Sequence, residues 1–319
     1  MKGTFVVPSW NGLEILREAL RALREQTVPC EVVVVDNGSS DGTADAVAEE
    51  FPEVALVRLQ ENVGFGRAVN LGAASASGDV LLVVNNDAIC ALDFAERMLA
   101  PFEDAGIGMA AGVLTQRLHP GRVDSAGIEL DVTVGSWDLG FNAPVASLGT
   151  REPVGPCGGG AAYRRSAWQG AGGFEPALFA YWEDVDLALR LRRAGWRSAF
   201  VPQALALHRH GATLGAATPT QRRLDAFGRG FVLGRHGHRG RRAALRVAIL
   251  DWPVLAFDVL VSRQPAVLRE RRRGLAAGRA TRQGPPAPEL LTVGLGEALR
   301  RRWAFALRRL RRGRPAQAP

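Results

Sequence analysis

A chain of 319 residues with 47% hydrophobic and 23% charged residues has the composition of a globular protein, long enough for one large domain or two small ones. Its three widely spaced cysteines, Cys30, Cys90 and Cys157, do not suggest a disulfide framework and lack metal-ligand spacing, which favours a reducing, cytosolic compartment. The net charge of +8 is uneven, since residues 222–319 hold 23 arginines against six acidic residues (+17) and the rest of the chain carries −9.

Residues 1–84 alternate short apolar runs with amphipathic segments. The opening, "MKGTFVVPSW", fits the first strand of a domain, because its apolar run is too short for a signal peptide or a membrane span. Further strands are predicted at "EVVVVD", "VALVRL" and "DVLLVV", and helices at "GLEILREALRAL", "DGTADAVAEEF" and "GFGRAVNLGAASA". This alternation predicts βαβ units and a mostly parallel sheet flanked by helices.

From about residue 107 the regular alternation stops and glycine-rich loops follow. A helix is predicted at "EDVDLALRLRRAG" and a strand at "SAFVPQALALHRHG". Beyond about residue 216 the pattern is helical and arginine-rich, with a loop at "GRATRQGPPAPE", and the final "RRGRPAQAP" is expected to be disordered. The sequence therefore predicts an α/β domain over residues 1–215 and a basic helical extension over residues 216–319.

Polar side chains follow each of the four predicted strands of the first part. They are Ser9, Trp10, Asn11, Asp36, Asn37, Ser39, Asn62, Asn85, Asn86 and Asp87. Each cluster taken alone suits a turn, because Asn, Asp and Ser are preferred there. The carboxyl ends of parallel strands, however, line one crevice, where open α/β sheets bind their ligands. Together the clusters predict a nucleotide-sized site.

Six motifs in order carry a resemblance to a known family. They are "VVPSWNG", "VVVVDNGSSDGT", "ENVGFGRAVNLG", "LLVVNNDA", "GGFEPALFAYWEDVDLALRLRRAGW" and "ALALHRHGAT", spanning residues 3 to about 214. They resemble the family 2 glycosyltransferases, and most of all their bacterial rhamnosyltransferase-like branch. The resemblance implies the GT-A fold, a Rossmann-like and mostly parallel sheet, and inverting transfer of a sugar from a nucleotide donor.

The resemblance also implies a donor site. Its nucleotide-binding positions correspond to Pro8, Ser9, Trp10, Asn11, Asp36, Asn62, Asn70 and Asn86. Asp87 matches the last aspartate of the family's Asp-x-Asp motif, which binds a divalent cation, Mg²⁺ or Mn²⁺, on the sugar diphosphate, and His208 matches its metal-binding histidine. On its own, His208 would be a solvated loop histidine, and the neighbouring His210 is a weaker candidate. Asn85 stands where the motif usually has an acid, which leaves a non-catalytic relative as an alternative.

Catalytic and acceptor positions follow from the same resemblance. Asp184 matches the catalytic base, expected to be shielded from water with a raised pKa, and Glu183 is expected to orient the acceptor. The sugar and acceptor loop corresponds to Gly158, Gly159, Gly160 and Trp182. Considered alone, the two acids suit the first turn of a helix, and the glycines suit a flexible loop.

Charged residues around these motifs have simpler interpretations. Asp186 and Arg190 fit an i,i+4 surface pair, and Arg190 and Trp196 are expected to be structural. Arg164 and Arg165 either reach a phosphate or lie on solvated surface.

The apolar part of the extension, "RRAALRVAILDWPVLAFDVLVSRQ", contains no charge-free run of the length that a membrane span requires. Arginine-flanked apolar residues instead predict an interfacial helix at an anionic membrane surface, or a helix packed on the protein. Nucleic-acid binding is disfavoured, because the segment has few aromatic residues for stacking. A plain solvated surface is the remaining alternative.

The sequence thus predicts a cytoplasmic, metal-dependent glycosyltransferase, peripheral at the inner face of the cell membrane. The expected donor is dTDP-rhamnose, with a UDP-sugar second, and the expected acceptor is a cell-envelope polysaccharide or a lipid-linked glycan. A nucleotidyltransferase is the rival enzyme, but "PSWNG" offers no basic residue to hold a triphosphate. A dinucleotide-dependent oxidoreductase is disfavoured, because only Gly12 follows the first strand.

Overall fold

The computed structural model describes residues 1–209 and 218–312. The chain forms two compact units: Met1–Ile128 with Asp138–Thr213, and Glu129–Trp137 with Leu214–Pro319. His210, the weaker metal candidate, and most of the C-terminal segment expected to be disordered lie outside the described residues.

Eleven strands are present in the described residues. They are β1 (Gly3–Ser9), β2 (Glu31–Asp36), β3 (Ala55–Arg58), β4 (Val80–Val84), β5 (Ala88–Cys90), β6 (Ile107–Gln116), β7 (His119–Ser125), β8 (Ile128–Leu130), β9 (Ser136–Asp138), β10 (Gly160–Arg164) and β11 (Arg197–His208). The helices of the first unit are α1 (Leu13–Arg24), α2 (Thr43–Glu50), α3 (Phe65–Ser75), α4 (Phe94–Leu99), α5 (Arg165–Ala171) and α6 (Glu183–Arg193). Those of the second unit are α7 (Pro219–His236), α8 (Arg241–Leu250), α9 (Trp252–Ser262), α10 (Ala266–Ala280) and α11 (Leu295–Arg312).

The first unit is built on one mixed sheet in the order β3-β2-β1-β4-β10-β6-β11-β5, with β7 paired to β6. The predicted parallel pairing is confirmed for β1 to β4, whereas β10 runs antiparallel between β4 and β6. Every residue of β1 and β4 is buried, because helices cover both faces of these strands. The parallel half therefore brings the polar residues after β1, β2 and β4 to one edge of the sheet.

The ten-residue strand β6 is the largest element that the sequence pattern did not predict. Its sequence, "IGMAAGVLTQ", is rich in glycine and alanine, which have low strand propensity and mask the apolar run. The structure explains the small residues, because a side chain at Gly108 would collide with Trp196. This contact supports the structural role expected for Trp196.

In the second unit, helices α7 and α10 pack backbone to backbone through four glycines. They are Gly230 and Gly234 on α7 and Gly274 and Gly278 on α10. A Cβ atom at Gly274 or Gly278 would overlap the carbonyl oxygen of Phe227 or Phe231, so the helices approach too closely for any side chain. Helix α10 also runs to Ala280, which corrects the predicted start of the "GRATRQGPPAPE" loop at residue 278.

We expect Gly278→Ala to destabilise the protein by about 1–3 kcal/mol, because the added methyl group overpacks the contact with Phe231. The matched control is Gly296→Ala on α11, where an added Cβ meets nothing within 4 Å. That change is expected to be neutral or stabilising, because alanine favours a helix more than glycine does. Urea denaturation measures both, and equal stabilities of the two variants would contradict the packing account.

Candidate active site

The ends of β1, β2 and β4 are joined by short polar contacts. Ser9 pairs with Asp36 across the parallel ladder, and the N–H of Asn37 donates to the carbonyl oxygen of Ser9 (2.8 Å). The side-chain amide of Asn86 donates to the hydroxyl of Ser9 (3.1 Å). These contacts join three of the four predicted polar clusters at one edge of the sheet, and the fourth, Asn62, is bonded to Asn37 (3.0 Å).

Asp36 is 3% exposed, and its Oδ1 atom is buried without a hydrogen-bond partner among the described residues. A buried carboxylate oxygen without a donor is costly unless something outside the chain satisfies it. Asn11, which has a positive φ of 47°, borders the same edge and accepts a hydrogen bond from the N–H of Ser40 (2.8 Å). The arrangement suits a ligand hydroxyl or ring N–H at Asp36.

The side chains of Asn62 and Asn70 form hydrogen bonds within the protein, chiefly with backbone groups. Asn62 accepts hydrogen bonds from the amide of Asn37 (3.0 Å) and from the N–H of Gly64 (2.9 Å). Asn70 bonds Phe174 twice, donating to its carbonyl oxygen (2.8 Å) and accepting from its N–H (2.9 Å). Their contribution to nucleotide binding stays a prediction, whereas their structural bonds are evident.

At the tip of β4, Asp87 meets His208 from the end of β11. Its Oδ1 atom lies 3.2 Å from Nε2 of His208, and both side chains are about nine-tenths buried. The amide of Asn85 lies 3.2 Å from the same nitrogen. On the other side of the ring, Nδ1 of His208 contacts Oδ2 of Asp124 at 2.7 Å. Asp124 was not predicted from the sequence, and it fixes the ring so that Nε2 faces Asp87.

Burial alone would lower the pKa of His208, but Asp124 and Asp87 outweigh it and raise the pKa to about 10. Within residues 1–209 and 218–312, no group of three or more His, Cys, Asp or Glu side chains is placed to hold a metal alone. Asp87 and His208 nevertheless fit a divalent cation whose remaining ligands are phosphate oxygens and water, since Mg²⁺ sites commonly use one or two protein ligands. The histidine nitrogen also suits Mn²⁺.

Glu183 and Asp184 begin α6 after two aromatic residues with positive φ, Tyr181 (70°) and Trp182 (75°). Such angles are unfavourable for aromatic residues, and backbone strain of this kind clusters at functional sites. Asp184 accepts hydrogen bonds from the N–H of Gly158 (3.0 Å) and from the N–H of Val185 (2.8 Å). Its orientation is therefore fixed by the glycine loop and by the first turn of the helix.

Burial raises the pKa of both acids. Desolvation dominates for Glu183 and, together with the adjacent Asp184 carboxylate, raises its pKa well above the usual value. The pKa of Asp184 is also raised by desolvation, although backbone N–H donors, chiefly that of Gly158, oppose the shift. Glu183 is 6% exposed, and its Oε2 atom has no hydrogen-bond partner among the described residues. Of the two acids, Glu183 is the one more readily protonated and Asp184 the one held by N–H donors in its ionised form, as a proton acceptor requires.

The glycine loop permits a close approach of backbone to the β4 tip. A Cβ atom at Gly159 would come within 2.9 Å of the Asn85 amide, and one at Gly160 within 2.8 Å of Leu114. Gly158 has more room, since an added Cβ would lie 3.4 Å from Phe65. The loop therefore connects the β4 tip with Asp184.

Three arginines near these motifs hold the fold. Arg164 donates to the carbonyl oxygens of Phe102 (2.7 Å) and Ile107 (2.8 Å), which accounts for it without a phosphate. Arg165 donates through Nε to the carbonyl oxygen of Gly78, whereas its Nη2 atom is buried without a partner among the described residues. Asp186 and Arg190 form an ion pair of 2.8 Å with side chains 0% and 9% exposed, so the expected surface pair is buried. Its structural role agrees with the expectation for Arg190.

The comparisons with known proteins bear on what this site does. Residues 4–170 match the description "Glycosyl transferase family 2", and residues 88–264 match "Glycosyl transferase family group 2". The chain belongs to glycosyl transferase family 2. The predicted family is therefore confirmed, and the protein is a transferase. Two rhamnosyltransferases are among its relatives, which confirms the rhamnosyltransferase-like branch.

Those relatives are similar over most of their length. The "N-acetylglucosaminyl-diphospho-decaprenol L-rhamnosyltransferase" of Mycobacterium tuberculosis is 29% identical over 281 residues, covering 77% of this chain and 88% of that protein. The "O-antigen chain rhamnosyltransferase RfbN" of Salmonella typhimurium is 27% identical over 223 residues, covering 67% of this chain and 68% of that protein.

Solved structures share the GT-A fold. The mannosyltransferase PcManGT from Pyrobaculum calidifontis, in complex with GDP-Man and Mn²⁺, has a TM-score of 0.56 at 23% identity and covers 97% of this chain and 84% of its own. S. aureus TarS 1–349 in complex with UDP-GlcNAc has a TM-score of 0.57 at 18% identity and covers 99% and 93%. The predicted fold class is confirmed.

Proposed function

We propose that this family 2 enzyme is an inverting, cation-assisted glycosyltransferase that moves rhamnose from dTDP-rhamnose to a hydroxyl of a lipid-linked cell-envelope glycan. A UDP-sugar is the second choice of donor. The observation that carries the proposal is the pairing of Asp87 with His208, far apart in the chain, together with the half-buried Asp184, which the glycine loop links to the β4 tip. The names of the two rhamnosyltransferase relatives support the choice of sugar.

The donor would bind along the edge formed by β1, β2 and β4. The unsatisfied Oδ1 of Asp36 accepts a hydrogen bond from the nucleoside, while the segment from Pro8 to Asn11 borders the base or ribose. Asp87 and His208, once its Nε2 atom has lost its proton, would hold a divalent cation at the diphosphate. When bound, that cation neutralises the charge that develops on the leaving diphosphate.

Asp184 acts as the general base on the acceptor. As the acceptor oxygen attacks the anomeric carbon, the bond from that carbon to the diphosphate oxygen breaks on the opposite face, and the hydroxyl proton passes to Asp184. The Gly158 N–H keeps the carboxylate in place. Glu183, kept neutral by burial, donates a hydrogen bond to a neighbouring acceptor hydroxyl and so orients it.

A lipid-linked acceptor fits the second unit. Among the described residues, none of the helices has the length and apolarity needed to traverse a bilayer. Helix α9, "WPVLAFDVLVS", nevertheless has no buried residue, and Leu245, Ile249 and Leu260 on α8 and α9 are 61%, 41% and 76% exposed. Exposed apolar residues between arginines suit attachment at an anionic membrane surface, here the inner face of the cell membrane.

A donor panel tests the proposal. The purified chain is incubated with dTDP-rhamnose, UDP-sugars and GDP-mannose in the presence of Mg²⁺ or Mn²⁺, with a synthetic N-acetylglucosaminyl-diphospho-lipid as acceptor. Mass spectrometry should detect a rhamnosylated product that requires metal. Transfer from another donor alone would refute the choice of rhamnose, and absence of transfer from every donor would refute the proposed reaction.

The acid limb of kcat/KM for that transfer is expected above the ordinary aspartate pKa of about 4. Burial raises the pKa of Asp184, and the base must be ionised, so activity falls as pH drops through this raised value. A pH–rate profile measures the limb. Glu183→Gln is the control and should retain the limb, since Glu183 is already protonated there, and a limb at or below pH 4 would contradict the assignment.

A further inference from the structure

Helices α7 to α10 line a half-open cavity of about 660 Å³ within the second unit, a volume typical of ligand pockets. One part of its wall is apolar, formed by Leu233, Val247, Trp252, Leu255 and Leu275. The rest carries a dense set of cations, Arg239, Arg271, Arg272, Arg279 and Arg282. The cavity therefore combines an apolar wall with an anion-attracting wall.

The positive charge on this wall is not neutralised within the described residues. Asp251 is the only acidic residue on the lining, and it is already shared by Arg229, Arg271 and Arg302. Arg239, Arg272 and Arg279 are exposed, and none has an ion-pair partner in the described part of the chain. The lining residues therefore include five guanidinium groups and one carboxylate, a surplus of four positive charges.

Arg282 and His238 also indicate that the cavity suits an anionic ligand. Burial and then the like charges of Arg239 and Arg279 lower the pKa of Arg282, whose side chain is anchored on the carbonyl oxygens of Gly234 (3.0 Å) and Gly237 (2.5 Å). The Nε2 atom of His238 is buried and has no hydrogen-bond partner among the described residues. An anionic group with several acceptor oxygens would relieve the repulsion and satisfy such atoms.

We propose that this cavity binds a polyprenyl diphosphate group, with the diphosphate at the arginines and the first isoprene units at the apolar side chains. A diphosphate matches the four surplus charges better than the single charge of a membrane phosphodiester does. The five apolar side chains accommodate the hydrocarbon beside it. The inference rests on the proposed function for the identity of the lipid, while the chemistry of the cavity itself calls for a lipid diphosphate.

Calorimetry with farnesyl diphosphate, a short soluble isoprenyl diphosphate, tests the inference on the full chain. We expect it to bind more than about 10-fold tighter than inorganic diphosphate, because the apolar wall contributes. The double variant Arg272→Gln/Arg279→Gln should weaken binding by about 10-fold or more, because it removes two charge-assisted contacts. The matched control, Arg241→Gln/Arg242→Gln, changes the same charge on exposed arginines outside the lining and should leave the affinity within about 2-fold.

Equal losses in both double variants would overturn the inference in favour of nonspecific charge, and so would unchanged affinity in the cavity variant. If vesicles containing phosphatidylglycerol compete fully with farnesyl diphosphate, the cavity is a phospholipid site and the inference is wrong. Binding of dTDP is measured on the same samples. Retained dTDP binding without farnesyl diphosphate binding would refute the cavity alone, and the reverse pattern would refute the proposed function while upholding the cavity.

Discussion

Asp184→Asn is expected to lower kcat by about 10²- to 10⁴-fold, the usual contribution of a general base. The substitution keeps the shape of the side chain, and its oxygen still accepts from the Gly158 N–H, so the loop should stay in place. The amide NH₂ group replaces only the oxygen that accepts from the Val185 N–H in the first turn of α6. Nucleotide affinity should be unchanged, because the proposed nucleoside contact is at Asp36 and the proposed cation site is at Asp87. Steady-state kinetics with calorimetry on the same variant separates the two effects.

Glu183→Gln is the matched control for Asp184→Asn. Glu183 is buried with a pKa raised well above the usual value, so the neutral amide reproduces its protonated form in charge and shape. We expect a fall in kcat much smaller than that of Asp184→Asn, with the larger change in the KM for the acceptor. A Glu183→Gln variant as inactive as Asp184→Asn would reverse the two roles, and an active Asp184→Asn variant would remove the base from the mechanism.

Asp251→Asn is expected to destabilise the protein by about 3–5 kcal/mol, because it leaves buried arginines without their counter-charge. Asp251 is 3% exposed and receives Arg229 (2.9 Å), Arg271 (2.8 Å) and Arg302 (2.6 Å). Burial alone would raise its pKa, but the three guanidinium groups lower it. Urea denaturation followed by far-UV circular dichroism measures the loss.

The control for Asp251→Asn is Glu270→Gln on α10. Glu270 pairs with Arg273 at 3.0 Å, but the arginine is 66% exposed, so the pair is screened by water. Its loss should cost less than about 1 kcal/mol. Equal effects of the two substitutions would show that the buried network is not what holds the second unit together.

The sequence predicted the parallel half of the fold because its signals are local. Leu16, Leu20 and Leu23 repeat at helical spacing and are buried on α1, and the valines of β1 and β4 form buried strands. The antiparallel half was less predictable. Strand β6 is built from small residues, and these are needed because residues distant in the sequence pack closely against them. Gly108 against Trp196 is such a contact.

The candidate site was also predictable only in part. The ordered motifs assigned Asp87, His208 and Asp184 to one predicted site, and the structure places Asp87 3.2 Å from His208, whereas Asp124 carries no local signal. It lies in β7 and gains its role through contact with a histidine 84 positions away. Asp186 and Arg190 were expected to pair at the surface, but the pair is buried. Their i,i+4 spacing predicts that the side chains are close, and it does not predict whether they are buried.

The second unit was the least predictable part. Its glycines look like helix breakers in the sequence, yet Gly230, Gly234, Gly274 and Gly278 allow two helix backbones to touch. The inclusion of residues 129–137 with the C-terminal helices likewise has no sequence signal, because Asp131 meets Arg302 only in the folded chain.

The measurement that tests the account most directly is calorimetric titration of dTDP and UDP, with and without Mn²⁺, into the wild-type protein and Asp87→Ala. The account predicts that one nucleotide binds, that binding strengthens with Mn²⁺, and that Asp87→Ala removes this dependence while the protein stays folded. Failure of both nucleotides to bind under any metal condition would contradict the donor site, and metal-dependent binding that survives Asp87→Ala would contradict the place assigned to the cation.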